Sequence, residues 1–87
     1  MTTAPEIAQR ASEQLAQLTG LKPDTVSALS KDEQGWNVTV EFVEMTRIPT
    51  ATDMLASYQA LLDDEGNLLS YQRTRRYLRG EVMEQEA

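Results

Sequence analysis

Residues 35–45 read GWNVTVEFVEM and decide how the chain folds. Apolar and polar side chains alternate along this stretch, and the large apolar ones that share a face are Trp36, Val38, Val40 and Phe42. An alternation of period two is typical of a strand in an antiparallel sheet with one buried face. We therefore expect a strand over residues 36–45, with this face packed against a second layer.

An amphipathic segment near the N-terminus supplies that second layer. Its apolar residues recur at spacings of four, four and three, which places on one side of a helix Ile7, Ala11, Leu15 and Leu18. Thr3 and Glu6 have the spacing of a capping box, and Gly20 suits the position after a helix because it can adopt positive φ. The pattern predicts a helix over residues 4–19.

The rest of the chain predicts three further strands within one domain, residues 1–87. Residues 25–31 are a weak strand candidate, and residues 53–62 and 68–79 form a long hairpin around the turn DDEGN. The polar, acidic residues 81–87 are expected to form a frayed tail. The predicted fold class is α+β: one N-terminal helix packed on a curved, three- to four-stranded antiparallel sheet, in two layers and in the order α-β-β-β-β.

The pairing of the last strand is open by one residue, and a slip of one residue exchanges its two faces. The preceding strand carries one apolar row, formed by Met54, Ala56, Tyr58, Ala60 and Leu62. One register puts Leu69 and Tyr71 beside this row, and the other puts Leu68 and Ser70 there. We prefer the first register because it buries Leu69 and Tyr71.

The connection into this hairpin contains RIP, residues 47–49. Pro49 has no N–H to donate to a sheet and biases Ile48 toward an extended conformation. Ile48 is therefore either tucked beneath the sheet or exposed as a contact residue. We favour the tucked placement.

Composition argues against several classes of chemistry. The 87 residues include neither Cys nor His, so the chain lacks thiolate nucleophiles, zinc-thiolate ligands and the commonest base near neutral pH. Glu41 and Glu44 are three positions apart on a strand, so they point to opposite faces and cannot act as an acid–base pair. We expect no catalytic residue, no metal site and no cofactor, and hence no enzyme.

The same composition bears on location. No apolar run approaches the roughly 20 residues that a bilayer-spanning helix needs, and the N-terminus lacks the regions of a signal peptide. We expect a cytoplasmic protein that does not enter membranes. Its net charge of −6 argues against nonspecific binding to nucleic acid.

Positive charge is concentrated near the C-terminus. Residues 73–79 carry four arginines and no acid, so this segment is +4 and the rest of the chain is −10. Along a regular strand, Arg73, Arg75 and Arg79 share one face and Arg76 takes the other. One interpretation is cross-strand ion pairing to carboxylates, for which the candidates are Glu41, Glu44 and Asp53.

The other interpretation is a contact surface for an acidic protein partner, because Arg and Tyr are enriched at interface hot spots. Its candidate residues are Arg47, Ile48, Pro49, Tyr71, Arg73, Arg75, Arg76, Tyr77 and Arg79. A basic and aromatic strip also occurs in RNA-binding proteins, although the acidic remainder repels phosphates. A small ligand- or peptide-binding regulatory module with a helix-on-sheet fold stays open as well.

Several motifs in order resemble the gas vesicle accessory protein GvpO family. They are GWNVTVE at residues 35–41, EMTRIP at 44–49, DMLASY at 53–58 and RRYLRG at 75–80. The resemblance covers about residues 15–80. Relatives with a longer charged N-terminal extension occur in this family, and functions of that extension are not carried over.

The resemblance implies a role in forming gas vesicles, the protein-walled, gas-filled compartments that give prokaryotes buoyancy. It implies an assembly factor rather than a shell subunit, and the mean hydropathy of −0.49 fits that distinction. The implied partners are other gas vesicle proteins, shell or accessory, among them an AAA-type ATPase, and the implied location is at gas vesicles. A role in transcript expression through RNA binding and a weak homodimer through a sheet edge remain alternatives.

Overall fold

One helix and one four-stranded antiparallel sheet form the fold in the computed structural model, which describes residues 3–46, 48–49 and 52–80. The elements are α1 (Ala4–Thr19), β1 (Lys22–Asp32), β2 (Gly35–Met45), β3 (Met54–Leu62) and β4 (Leu68–Leu78). The strands follow one another across the sheet in chain order, each antiparallel to its neighbour. This confirms the predicted α+β class and the order α-β-β-β-β. The predicted tail, residues 81–87, lies outside the described residues.

The apolar core lies between α1 and one sheet face, which we call the helix face. The strand rows and the helix stripe meet there as the alternation predicts, and the residues that form one buried cluster are Ile7, Ala11, Leu15, Val38, Val40, Phe42, Ala60 and Leu62. The rings of Phe42 and Tyr58 meet edge to face with centroids 5.4 Å apart. Leu18 is 58% exposed, so the buried stripe of α1 ends before the helix does.

The two ends of α1 differ in how they are capped. Thr3 occupies the N-cap position, but its side chain makes no capping hydrogen bond, so the predicted capping box does not form. Gly20 has a φ of 74° and donates its N–H to the carbonyl of Ala16 over 2.8 Å, as predicted for the residue after a helix. No helix among the described residues is long and apolar enough to span a bilayer.

Polar contacts join α1 to the turn between β3 and β4. The carbonyl of Gly66 accepts hydrogen bonds from Nε of Arg10 (3.1 Å) and Nε2 of Gln14 (2.9 Å), and Oε1 of Gln14 accepts the N–H of Leu68 (3.0 Å). A Cβ at Gly66 would lie 2.6 Å from Nε of Arg10, and the φ of Gly66 is +91°. The turn therefore requires glycine both for its backbone conformation and for the close approach of the helix.

The first strand begins earlier than predicted, at Lys22 rather than at residue 25. Lys22 pairs with Val43 and Pro23 pairs with Phe42, and the register shifts between Pro23 and Thr25. The predicted strand, residues 25–31, left Pro23 outside the sheet. At a sheet edge, however, the missing N–H of a proline is tolerated and a bulge absorbs the irregular pairing.

Two β-bulges decide which side chains of β4 share a face. The pairing shifts between Leu62 and Leu61 of β3, and again between Tyr58 and Ser57, which leaves Leu69 and Thr74 as the extra residues of β4. Tyr71 lies opposite Ala60 on the helix face, as the preferred register predicts, but it is 43% exposed rather than buried, and Leu68 of the other register lies opposite Leu62 in the apolar row. Leu69 does not join the apolar row, however, and is 56% exposed.

The second bulge overturns the predicted distribution of the arginines. Arg73 lies opposite Tyr58 and Arg76 lies opposite Ala56, so both belong to the helix face. Arg75 lies opposite Ser57, on the opposite face, which we call the open face. The prediction that Arg73 and Arg75 share a face, with Arg76 on the other, is wrong because the extra residue at position 74 inverts the alternation between them.

The tucked placement of Ile48 is also wrong, since its side chain is 100% exposed. β2 ends at Met45 and β3 begins at Met54, so Ile48 and Pro49 lie in the connection beyond the strand ends, where the sheet offers no face to cover them. The peptide bond between Ile48 and Pro49 is cis. Arg47, the third member of this predicted contact segment, lies outside the described residues.

Candidate partner-binding surface on the last strand

Arg73 and Arg76 share one carboxylate on the helix face. Nη1 of Arg73 lies 3.3 Å from Oε2 of Glu44, and Nε of Arg76 lies 2.6 Å from Oε1. The second contact is an ion pair without hydrogen-bond alignment, because Oε1 of Glu44 accepts no hydrogen bond. Both guanidinium groups are about half exposed while Glu44 is largely covered. The predicted pairing to Glu44 is therefore confirmed for both arginines.

Arg79 joins two acids at the end of the sheet. Its Nη2 donates to Oδ1 of Asp24 over 3.2 Å, and its Nε lies 3.5 Å from Oδ2 of Asp53. The hydrogen bond to Asp24 is the main cause of a raised pKa for the Arg79 guanidinium. The pairing to Asp53 was predicted, whereas the contact to Asp24 links the two edge strands of the sheet.

Glu41 is a buried carboxylate on the open face, only 6% exposed. It is held by three hydroxyl groups from the three other strands. Oε2 accepts from Ser27 of β1 (2.6 Å), and Oε1 accepts from Ser57 of β3 (2.5 Å) and from the hydroxyl of Tyr77 on β4. The predicted ion pair between Glu41 and an arginine is replaced by these hydroxyl donors. Because charge-assisted hydrogen bonds are short and strong, this network can hold a carboxylate away from water.

The network changes the acidity of Tyr77. Burial raises the pKa of Tyr77 to about 12, and the hydrogen bond to Glu41 and the charge of that carboxylate act in the same direction. All three effects favour the neutral phenol. In particular, a phenolate beside Glu41 would place two negative charges together. Tyr77 is therefore a hydrogen-bond donor over the whole neutral range.

Arg75 lies over the ring of Tyr77, with its guanidinium carbon 4.5 Å from the ring centroid. Its Nε donates a long hydrogen bond of 3.4 Å to Oγ of Ser57. Within residues 3–46, 48–49 and 52–80, Arg75 has no carboxylate at salt-bridge distance, in contrast to Arg73, Arg76 and Arg79.

A shallow depression of about 340 Å³ lies on the open face, farther along β4 toward its turn. Its lining is mainly polar and uncharged, and includes Asn37, Gln59, Ser70 and Gln72 together with Leu61. At its far rim, Nδ2 of Asn37 donates to Asp32 over 2.8 Å. In the part of the chain that the structure describes, no three acidic side chains converge where they could hold a metal ion.

The structure divides the predicted contact residues among several places. Tyr71, Arg73 and Arg76 lie on the helix face, Arg75 and Tyr77 on the open face, and Arg79 at the end of the sheet.

Sequence reasoning missed the buried network around Glu41. A usable signal was the position of Glu41 between Val40 and Phe42 in the central part of a long strand, where a fully solvated carboxylate is unusual.

The fold and this surface define a small two-layer α+β domain, in which a helix covers one face of a four-stranded meander and the last strand presents arginine and tyrosine on the other. Comparison with known proteins identifies the family to which the chain belongs. It belongs to the gas vesicle synthesis protein GvpO family, whose model matches residues 1–83.

Individual relatives agree with the family match. The chain is 46% identical over 67 residues to gas vesicle protein O of Streptomyces sp. (strain CB03234), which covers 77% of this chain and 52% of the relative. It is 37% identical over 60 residues to gas vesicle protein O1 of Halobacterium salinarum, which covers 69% and 50%. The chain thus spans about half the length of these relatives. No solved structure matches it significantly.

Proposed function

We propose that this chain is a non-enzymatic accessory protein for gas vesicle formation that acts through contacts with other gas vesicle proteins. The family match over residues 1–83 carries the proposal. The proposed location is the cytoplasm, at gas vesicles. The proposed partners are shell or accessory proteins, among them an AAA-type ATPase.

The contact residues that the geometry supports best are Arg75 and Tyr77. Arg73, Arg76 and Arg79 each already contact an internal carboxylate, although Arg73 and Arg76 share the one of Glu44. The exposed pair Ile48–Pro49 and the half-exposed ring of Tyr71 are further contact candidates at separate places on the surface. Trp36 is partly buried and packs against the core cluster between α1 and the sheet, which favours a core role for this residue over a ligand-binding one.

Removal and restoration of the gene tests this function. In a host that forms gas vesicles and encodes this chain, deletion is expected to abolish or strongly reduce vesicles seen by electron microscopy, and the same chain supplied on a plasmid is expected to restore them. An affinity-tagged copy is expected to co-purify with at least one other gas vesicle protein. Normal vesicle number and shape after deletion would contradict the proposal.

A further inference from the structure

Arg75 is the arginine of β4 whose charge the described fold does not neutralise. The three neighbouring arginines each contact a carboxylate, while the described contacts of Arg75 are a tyrosine ring and a long hydrogen bond from Nε to Ser57. The two Nη groups of Arg75 therefore donate no hydrogen bond to any described residue. An exposed guanidinium in this state is a binding group for an external acceptor.

The buried acid on the same face does not take up this charge. Both oxygens of Glu41 are occupied by the hydroxyls of Ser27, Ser57 and Tyr77, and Arg75 reaches Glu41 only indirectly through Ser57 and Tyr77. The hydroxyl network thus satisfies the carboxylate and leaves the guanidinium at the surface. A direct Arg75–Glu41 salt bridge would have removed the site.

The side chain of Arg75 already has contacts that orient it before a partner binds. Its guanidinium is supported by the ring of Tyr77, and the hydroxyl of that ring is tied to Glu41. An arginine that is already ordered loses less side-chain entropy on binding, and its planar fork matches the two oxygens of a carboxylate. Aromatic support adds to this order because the ring face attracts the cation.

The neighbourhood of Arg75 suits an extended polypeptide. Gln72 is the next residue of β4 on the open face, because Thr74 is the bulge residue, and Gln72 lies opposite Gln59. Both glutamines line the shallow depression, where their amides can bond to the backbone of a bound chain. Asp32 at the far rim would repel acids there, so a bound carboxylate is directed to the Arg75 end.

We propose that the open face binds an extended acidic segment of a partner protein, with Arg75 pairing to a carboxylate and the glutamines of the depression bonding to its backbone. Charge complementarity selects this occupant, because Arg75 is an exposed cation of this face that contacts a tyrosine ring and a serine hydroxyl rather than a described carboxylate. The inference rests on the proposed function, because it names the surface and the class of partner for the same protein–protein contact.

A direct binding measurement tests this inference. The probe is a fluorescein-labelled peptide of alternating Glu and Ser, and the control probe has every Glu replaced by Gln. Fluorescence anisotropy is expected to show that the wild-type chain binds the Glu peptide and not the Gln peptide, with weaker binding at high salt. Amide shifts in an NMR titration are expected at Gln59, Gln72 and Arg75 and not along α1.

Two neighbouring arginines on opposite faces provide the matched variants. Arg75→Gln is expected to weaken binding of the Glu peptide about tenfold or more, as loss of a charged hydrogen-bonded contact does. Arg76→Gln, which alters a guanidinium already paired with Glu44, is expected to leave it within about twofold. Arg75→Lys retains the charge without the planar fork and is expected to bind with intermediate affinity. Circular dichroism checks that each variant is folded.

Several results would overturn the inference. They are equal binding of the Glu and Gln peptides, equal weakening by Arg75→Gln and Arg76→Gln, no binding by the wild-type chain, or tighter binding of a single-stranded RNA oligonucleotide than of the Glu peptide. The vesicle assay separates this failure from failure of the proposed function. If deletion abolishes vesicles but the peptide does not bind, the accessory function stands and the acidic-segment inference is wrong.

Discussion

The strand β2 buries apolar side chains on its helix face and a carboxylate on its open face. On the helix face, Val38, Val40 and Phe42 of β2 are covered by α1 and are fully buried. On the open face of the same strand, Glu41 is 6% exposed although α1 lies on the other face, and its neighbour on β3, Ser57, is 4% exposed. The comparison teaches that one strand can combine nonspecific apolar burial with a polar network whose stability depends on each partner.

The two faces should respond differently to substitution. Apolar packing tolerates exchange between side chains of similar volume but suffers when volume is lost. A buried carboxylate with three donors has little tolerance for losing a donor, since an unsatisfied buried polar group keeps its full desolvation cost.

Loss of volume on the helix face is expected to have the largest effect. Leu15→Ala removes a fully buried side chain from the middle of α1 and is expected to lower the free energy of unfolding by about 2–5 kcal/mol. Urea denaturation followed by circular dichroism measures this change. Leu18→Ala is the matched control on the same helix, where the side chain is 58% exposed, and it is expected to change stability by no more than about 0.5 kcal/mol. Equal effects of the two substitutions would show that α1 does not pack as described.

Loss of one hydroxyl on the open face is expected to have a smaller effect. Ser57→Ala removes a donor to Glu41 while leaving the carboxylate buried, and is expected to cost about 1–3 kcal/mol. Ser70→Ala, at an exposed position of the same face, is the control and is expected to cost less than about 0.5 kcal/mol. The same denaturation experiment compares them. A Ser57→Ala variant as stable as Ser70→Ala would mean that Glu41 is solvated in solution.

The smallest effect is expected in the alkaline range. The pKa of Tyr77 is raised from 10.0 to about 12, so the folded protein holds this proton at pH values where the unfolded chain has lost it. The stability that comes from the difference is complete below pH 10 and is lost as the pH rises toward 12. We expect the unfolding free energy of the wild-type chain to fall more steeply over this window than that of Tyr77→Phe.

Denaturation curves recorded at increasing pH give the slope of the unfolding free energy against pH for the wild-type chain and for Tyr77→Phe. The difference between these two slopes removes the contribution of all other titrating groups. The ultraviolet absorbance of tyrosinate gives a second readout. Parallel slopes would contradict the buried position of the Tyr77 hydroxyl beside Glu41.

The helix face could be predicted from the sequence because its pattern is regular. Period-two alternation in residues 35–45 and helical spacing from Ile7 to Leu15 each identify one apolar row. Two apolar rows in a chain this short can be buried only against each other. Glu44 and Asp53 could be named from the sequence as candidate partners for the arginines, but the contacts of Glu44 reach across β3 to β4 and do not follow from the pairing of neighbouring strands.

The open face could not be predicted in the same way. Its geometry depends on two bulges in β4, and a bulge leaves no periodic signal in a strand that is polar on both sides. The extra residue at Thr74 decides that Arg75, and not Arg73, reaches Tyr77 and Ser57. The hydroxyl partners of Glu41 were equally hidden, because they come from three separate strands.

The contact between α1 and Gly66 bears on the order of events during synthesis. The first element of the chain is bonded through Arg10 and Gln14 to a turn more than fifty residues later. While the ribosome is still adding β3, the carbonyl of Gly66 does not yet exist. Arg10 and Gln14 of the nascent helix therefore cannot yet make these hydrogen bonds. These hydrogen bonds of α1 can therefore form only after the turn of the last hairpin has been made, however early the helix itself forms.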